Sequence, residues 1–507
     1  MRDAMKARRL KAETKASYEV LDWFVDGFFM DELGRREAEA AGRPAPEAAA
    51  RKRRHEGIDA WTRHALEQYD LAFPDASDGA PLVAAPYQWS YRWVCPDSRS
   101  DRRGVKEYAL TLWGRCLQSL DGSYREFRWP SHQLADRDGR RRERSDAERA
   151  VAAFITASAD PGPLPRWLRV VEFGLCDGRP FPEPLFDGTP DEARQLFDTD
   201  GRGALTALLD GTRYNPGKAC TSCDFTSICP EVRRADGLLG VRTPNRPHRT
   251  WSPTKAGSYR RCPARYFLRA NNLPVDDMIE RNAAAERGRA IHQVLAARHK
   301  AALAHRDTAV EGSCTSDVPA NWAEGWALDE AELVLGTEML RMHAGVCPMA
   351  HARAAGMQPE QMIVRSDADA AALILVQPDL LYLDGDSWVW REVKTASRKL
   401  ALEELFRRYP QLAVGVELLA RGELGGTRGR SRVELEILRP DAADIVPLDP
   451  FNPAIRDAAR EALYETSEAW RADDLFVARP GKECASCEVA RWCPSRLVGD
   501  ETEGSVR

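Results

Sequence analysis

A fifteen-residue pattern occurs twice in this 507-residue chain, and it restricts the fold more than any other feature. Pro216-Gly-Lys-Ala-Cys-Thr-Ser-Cys-Asp-Phe-Thr-Ser-Ile-Cys-Pro230 and Pro480-Gly-Lys-Glu-Cys-Ala-Ser-Cys-Glu-Val-Ala-Arg-Trp-Cys-Pro494 both read P-G-K-x-C-x-S-C-x5-C-P. The likeness continues upstream at similar offsets: Leu120-Asp-Gly122 with Leu383-Asp-Gly385, Arg169-Val170 with Arg432-Val433, and Arg125-Glu-Phe-Arg128 with Arg391-Glu-Val-Lys394; further back, Ser17-Tyr18 resembles Ser258-Tyr259 at the shorter offset of 241. Self-similarity at a long period means one structural plan laid down twice. We therefore expect two tandem copies, over residues 1–240 and 248–495, and a flexible tail over 496–507. The junction falls near 236–246, where Thr243-Pro-Asn-Arg-Pro247 reads as linker.

What the repeated cysteines do depends on the compartment. The charged start Met1–Arg9 has no apolar stretch behind it, which predicts no signal peptide, and no apolar run is long enough to span a bilayer. A cytoplasmic protein with no membrane partner is expected, and there thiols stay reduced. Clustered Cys-x2-Cys-x5-Cys spacing then predicts metal binding rather than disulfides. The net charge of −5 speaks against a protein that coats nucleic acid, but it leaves room for a local basic groove. Arg51–His55, Arg137–Arg144 and Arg428–Arg432 are candidate patches, although each also reads as an ordinary solvated face. The P-G-K segments are not P-loops, since the G-x4-G-K-[ST] spacing is absent.

In the second copy, apolar residues at three- and four-residue steps predict a helix over Asn282–Lys300, with Gly288 and His292 on one face. Residues 379–395 predict a β-hairpin: Leu380–Leu383, a turn at Asp384-Gly385-Asp386, then Trp388–Lys394. The period of two puts Trp388, Trp390, Glu392 and Lys394 on one face and Val389, Arg391 and Val393 on the other. Asp379 begins the facing strand and reaches the same place. Two carboxylates and a lysine converging on a strand pair suit a hard divalent cation and a water nucleophile. A cross-strand ion pair on an exposed sheet would leave the same trace, so the three residues alone are a weak signal. Leu400–Glu423 reads as helical with a break at Pro410, and Arg432–Leu438 as a further strand. A small mixed sheet flanked by helices follows.

The ordered set is more specific than its members. Trp251–Leu268 with its Cys262-Pro, Gly288-x3-His292, Asp379 with Glu392-Val-Lys394, Gln411 and Cys484-x2-Cys487-x5-Cys493 together resemble the PD-(D/E)XK nuclease superfamily, in its RecB-like iron–sulfur exonuclease branch. The resemblance covers about residues 249–495. It implies an α/β fold of two tandem PD-(D/E)XK-like domains, the first degenerate. By that resemblance His292, Asp379, Glu392 and the carbonyl of Val393 would ligate Mg²⁺ or Mn²⁺. Lys394 would activate water, and Gln411 would serve the catalytic set. Position 415 carries glycine where the family's Q-x3-Y motif has tyrosine. Cys262, Cys484, Cys487 and Cys493 would hold a [4Fe–4S] cluster; four thiolates in this spacing suit zinc equally well from first principles.

At the matching positions the first copy reads Leu21 for Cys262, Trp61 for His292, Cys116 for Asp379 and Arg128 for Lys394, and only Glu126 survives. One carboxylate is too few for a divalent ion, so an inactive copy is expected. Cys220, Cys223 and Cys229 persist there as a candidate second metal site, with Cys95 or Cys176 to complete it. The leading expectation is a metal-dependent deoxyribonuclease, an exonuclease by resemblance, acting on DNA in recombination, repair or defence. Having no motor motif, it would draw on a helicase in trans. The alternative is a non-catalytic, metal-stapled DNA-binding or scaffold subunit of a helicase–nuclease complex; the glycine at 415 and the negative charge point that way.

Overall fold

A computed structural model of the chain describes residues 23–497 except 41, 43–54, 74–81, 86–87, 97–104, 133, 135–142, 160–161, 163, 177–182, 212–213, 224, 277–282, 305–313, 351–353 and 397–404. Ser17, Tyr18, Leu21, the basic runs at 51–54 and 137–142, the side chain of Cys95 and the tail beyond residue 497 lie outside this description. The first half contains α1 (Trp23–Ala40), α2 (Glu56–Ala72), β1 (Leu82–Ala84), β2 (Ser90–Pro96), β3 (Val105–Thr111), β4 (Arg115–Ser119), β5 (Tyr124–Ser131), α3 (Asp146–Ser158), β6 (Trp167–Gly174), β7 (Phe186–Gly188), α4 (Pro190–Leu196) and α5 (Arg202–Asp210). The second half contains β8 (Arg233–Arg234), β9 (Arg249–Trp251), α6 (Pro253–Arg261), α7 (Pro263–Ala270), α8 (Ala283–Ala304), α9 (Glu330–Ala344), β10 (Ala354–Pro359), β11 (Ile363–Asp367), β12 (Ala372–Val376), β13 (Leu380–Asp384), β14 (Ser387–Thr395), α10 (Leu405–Arg408), α11 (Pro410–Ala420), β15 (Arg432–Leu438), β16 (Ala443–Leu448) and α12 (Pro453–Ala472).

The repeat seen in the sequence is a repeat of topology. Two five-stranded sheets run β1-β4-β5-β6-β7 and β10-β13-β14-β15-β16. In both, the successive pairings are antiparallel, antiparallel, parallel and antiparallel. The central parallel pair even keeps the same spacing. Tyr124 pairs with Trp167 and Val389 with Arg432, each 43 positions on (167 − 124 and 432 − 389). A parallel pair needs a crossover, supplied by α3 in the first half and by α10 with α11 in the second.

Side-chain alternation then builds the second half in three layers. Val393 points to α8 and α9, among Ile291, Leu295, Met339 and Leu340. Trp390, Val433 and Leu435 point the other way, onto Leu412 and Val416 of α11 and Leu463 and Trp470 of α12. The predicted helix break falls where Pro410 opens α11 at its first turn, the position where a missing N–H costs nothing. The predicted hairpin is β13–β14, closed between Asp384 and Ser387. Gly385 holds φ +64° there, a conformation glycine takes without strain.

The two halves also interlock. β8 and the residues Ala235, Leu238 and Leu239, all before residue 240, join the second half: β8 pairs with β11 in a separate four-stranded sheet of order β8-β11-β12-β9, and the three apolar residues lie in the second half's core. In the other direction, Ile58, Trp61 and Leu66 of α2 pack on Leu268, Leu273, Val489 and Trp492. No helix among the described residues is long and apolar enough to cross a membrane.

Candidate active site

β14 runs through the middle of the second sheet and carries Glu392, Val393 and Lys394 to its C-terminal end. Asp379 sits one residue before β13, next to the Leu380–Arg391 pair, so the ladder brings it level with Glu392. Its Oδ2 accepts the backbone N–H of Val393 at 2.6 Å, which fixes the carboxylate at the strand end. His292 enters from α8. Gly288, one turn earlier, lets the helix approach: a Cβ there would lie 3.1 Å from Thr395 Oγ1, the last residue of β14. His292 Nδ1 lies 2.9 Å from Asp379 Oδ1.

The Lys394 ammonium is set among oxygens. Its Nζ donates to the Val393 carbonyl at 2.8 Å, to Glu392 Oε2 at 3.3 Å and to Asp379 Oδ2 at 3.4 Å. Gln411 Nε2, from the first turn of α11, donates to the same Glu392 oxygen at 3.3 Å, and Trp390 Nε1 donates to the other at 3.0 Å. All the residues expected at the second copy's nuclease site therefore meet at one place. Trp390 lies in the core and Trp388 packs against it.

Charge and burial divide the carboxylates. Burial works against ionisation of Asp379, yet Lys394 and His292 hold it well below the usual carboxylate range. Glu392 is almost fully enclosed; burial pushes its carboxyl up to about 7, with Asp379 adding to the rise and Lys394 opposing it. Burial opposes charge on Lys394 too, but Asp379 and Glu392 together raise it above its ordinary value. His292 is likewise raised, by Asp379 against burial. A cation placed here meets hard oxygen donors and one imidazole, and the lysine ammonium already lies among three of those oxygens. This donor set fits a divalent metal.

One residue of the site was not anticipated. Glu360, in the turn after β10, offers a carboxylate oxygen mutually within 4.8 Å of donor atoms of His292 and Asp379. Burial and then Asp379 raise its carboxyl. Gln377 Nε2 donates to both its carboxylate and its carbonyl, at 2.8 and 2.9 Å. Nothing local marks Glu360, because only the pairing of β10 with β13 brings it to Asp379.

The cysteine pattern gives the same local turns in both copies. Cys220 N–H donates to the Gly217 carbonyl at 3.0 Å and Cys484 N–H to that of Gly481 at 2.9 Å. Cys262 is held extended between α6 and α7, the conformation expected before proline. It lines one pocket with Cys484, Cys487 and Cys493, walled by Leu268, Ala478, Val489 and Ala490 and bordered by Arg261, Arg265, Arg479 and Arg496. Arg479 N–H points at Cys262 Sγ, 3.4 Å away. Burial raises the Cys487 thiol and pushes Cys493 up to about 11. The four thiols line one apolar-walled pocket, but no three of their sulfurs lie within 4.8 Å of one another.

Two expectations for the first copy need correction. The residue facing Glu126 across the ladder is Leu117, not Cys116. The longer turn between Gln118 and Arg125 changes the hairpin register, and Cys116 instead faces the core, where burial pushes its thiol up to about 12. Cys176 does not complete the Cys220 trio. It packs at the edge of the cluster holding Cys487 and Cys493, whereas Cys220 and Cys229 pack on Val232, Val364, Leu373 and Leu375. Trp61 is fully buried, edge-on to Trp492 at 4.9 Å. Arg128 pairs with Glu126 at 2.6 Å and donates to Tyr69 Oη at 2.8 Å.

No curated relative matches the chain. The family model of the PD-(D/E)XK nuclease superfamily matches residues 250–494, the stretch that contains Cys262, His292, Asp379, Glu392, Lys394 and the terminal cysteines. This second half, a mixed α/β domain with the acid–acid–lysine site on its central strands, belongs to the PD-(D/E)XK nuclease superfamily.

Proposed function

We propose that the second half is a Mg²⁺- or Mn²⁺-dependent deoxyribonuclease of the RecB-like exonuclease branch, hydrolysing phosphodiester bonds in DNA during recombination, repair or defence. The observation that carries this reading is the placement of Lys394 among Asp379, Glu392 and the Val393 carbonyl, with His292 on Asp379. His292, Asp379, Glu392 and the Val393 carbonyl would hold the ion, with Glu360 as a further donor. When bound, the ion supplies Lewis acidity that makes water nucleophilic near neutral pH and offsets charge on the phosphate. Lys394, whose ammonium lies beside the oxygens that would hold the ion, orients the attacking water and stabilises charge on the phosphate oxygens. Gln411 and Trp390 donate to the two Glu392 oxygens and fix the carboxylate that would help to hold the ion. Asp379, held below the usual carboxylate range by Lys394 and His292, anchors His292.

Cys262, Cys484, Cys487 and Cys493 would carry a [4Fe–4S] cluster, or zinc, that ties the start of the domain to its end. A link closing so long a loop restricts the unfolded chain more than the folded one. The first half serves as an inactive framework that offers a binding surface. Its surviving Glu126 is neutralised by Arg128, and a tryptophan occupies the histidine's place. A helicase would act in trans.

The test is cleavage of end-labelled single- and double-stranded DNA by anaerobically purified protein with Mg²⁺ or Mn²⁺, beside Lys394→Ala. Cutting by the wild type alone, with DNA binding retained in the variant, supports the reading, and the product ladder gives polarity. Equal cutting by both places the active site elsewhere. If both bind DNA and neither cuts, even with a partner helicase, the chain is a scaffold subunit.

A further inference from the structure

Two turns beyond His292, α8 carries His299 into a second cluster that the nuclease reading does not use. It gathers His299, Cys314, His343 at the end of α9, and Cys347 four residues later. All four are buried, and one candidate donor atom from each lies within 4.8 Å of all the others. Cys347 Sγ is 3.6 Å from His299 Nε2, and the two imidazole rings are 5.5 Å apart. His343 Nδ1 is engaged by Glu436 of β15 at 2.6 Å. The other ring nitrogen of His343, Nε2, is enclosed without a hydrogen bond of ordinary geometry among the described residues, and the ring interacts with the Cys347 thiol.

Four buried ionisable side chains with their donor atoms gathered at one place need a partner to compensate for their burial. We propose that His299, Cys314, His343 and Cys347 hold a structural zinc ion that locks the His292-bearing helix to its neighbours.

The chemistry of the set selects the ion. Two sulfurs and two imidazole nitrogens match a closed tetrahedral site, and such donors favour zinc over the hard cations suited to the nuclease centre. Two thiolates cancel the charge of a divalent ion and two neutral imidazoles add none, so the complete site is neutral, as its burial demands. Glu436 on Nδ1 fixes the tautomer and aim of His343, the arrangement that histidine ligands ordinarily receive from an outer carboxylate. Glu436 is itself held by Arg391 Nη1 at 3.2 Å. All four positions come from protein, which makes the site structural rather than catalytic.

Its consequence follows from helix geometry. His292 and His299 are seven residues apart, two turns along one face. An ion that ties His299 to α9 and to the segment bearing Cys314 therefore sets the depth and rotation at which α8 presents His292 to Asp379. His292, His299 and His343 border a single pocket with Glu360 and Asp379. The assignment does not rest on the nuclease reading, since zinc content is measured without any cleavage.

The experiment compares zinc and iron content of the full-length protein, purified from zinc-supplied cells, with Cys347→Ser and His343→Gln. The wild type is expected to hold about one zinc per chain more than either variant, at unchanged iron. Equal zinc in all three, or none in the wild type, overturns the assignment. Should the variants fail to fold, zinc-edge X-ray absorption of the wild type decides. Sulfur and imidazole scatterers around zinc support the site, whereas sulfur alone, as either all-cysteine set would give, refutes it.

Discussion

Position 415 shows how a single residue can depart from a motif for reasons of packing. Gly415 faces the fully buried Trp390, and a Cβ there would lie 2.9–3.2 Å from its indole carbons. The same indole donates to Glu392. A tyrosine cannot stand there, so its absence reflects the tryptophan beneath rather than a lost reaction. Overpacking a full core costs about 1–3 kcal/mol. Gly415→Ala should therefore lower the melting temperature and, by displacing the Trp390–Glu392 bond, also reduce cleavage. A variant with unchanged melting and activity would show that Trp390 yields freely. Lys394→Ala belongs to the same scale but differs in signature. It removes a charge at a part-buried strand end and should abolish cutting while leaving DNA binding in place.

At the scale of elements, α11 and α12 are joined by one buried carboxylate. Glu417 accepts from Arg456 at 2.7 Å, Arg421 at 3.0 Å and Arg460 at 3.1 Å. Burial works against its ionisation, yet the three guanidinium groups hold it below the usual glutamate value. A depressed folded pKa means the contribution is complete above the unfolded value of about 4.3 and is lost as pH falls through the folded one. Glu417→Gln should cost about 1.5–3 kcal/mol at neutral pH, the range for hydrogen bonds to charged groups. Urea melts of both proteins should converge as the pH drops below about 4. A gap that persists undiminished in acid would mean that the loss is one of shape, not of charge.

Over the whole molecule, the halves support one another. Gly57 lies in the first turn of α2 in the first half, and a Cβ there would lie 2.8 Å from the Trp492 carbonyl and 2.5 Å from Leu268 Cδ2 in the second. The backbone oxygen cannot swing aside as a side chain can. Gly57→Ala should thus lower the melting temperature by a cost of about 1–3 kcal/mol, although it lies more than 400 positions from Trp492 and outside the nuclease half. On the proposed cluster assignment, iron measured in the same variant should fall as well, because Trp492 immediately precedes Cys493. Unchanged melting and iron would separate the two halves energetically. His55 adds to this seam, its Nε2 3.1 Å from the Phe476 carbonyl and its ring stacked on Phe267.

Periodicity and repetition were enough to place β13, β14, β15, α8 and the proline-opened α11, because each follows from local alternation or from one residue's backbone limits. They also delivered the duplicated sheet plan and the residues Asp379, Glu392 and Lys394, which share a single hairpin. Tertiary structure alone decided which residues meet across long separations. Glu360 reaches Asp379 by strand pairing, Leu117 rather than Cys116 faces Glu126 by hairpin register, and Cys176 lies with the second cysteine set. The His299–Cys314–His343–Cys347 cluster is of the same kind. Its only local trace is a histidine and a cysteine four residues apart, and the packing of α8 against α9 and β15 assembles the rest. Spacing records what one element presents; the meeting of donor atoms from several elements is set by how their apolar faces are buried together.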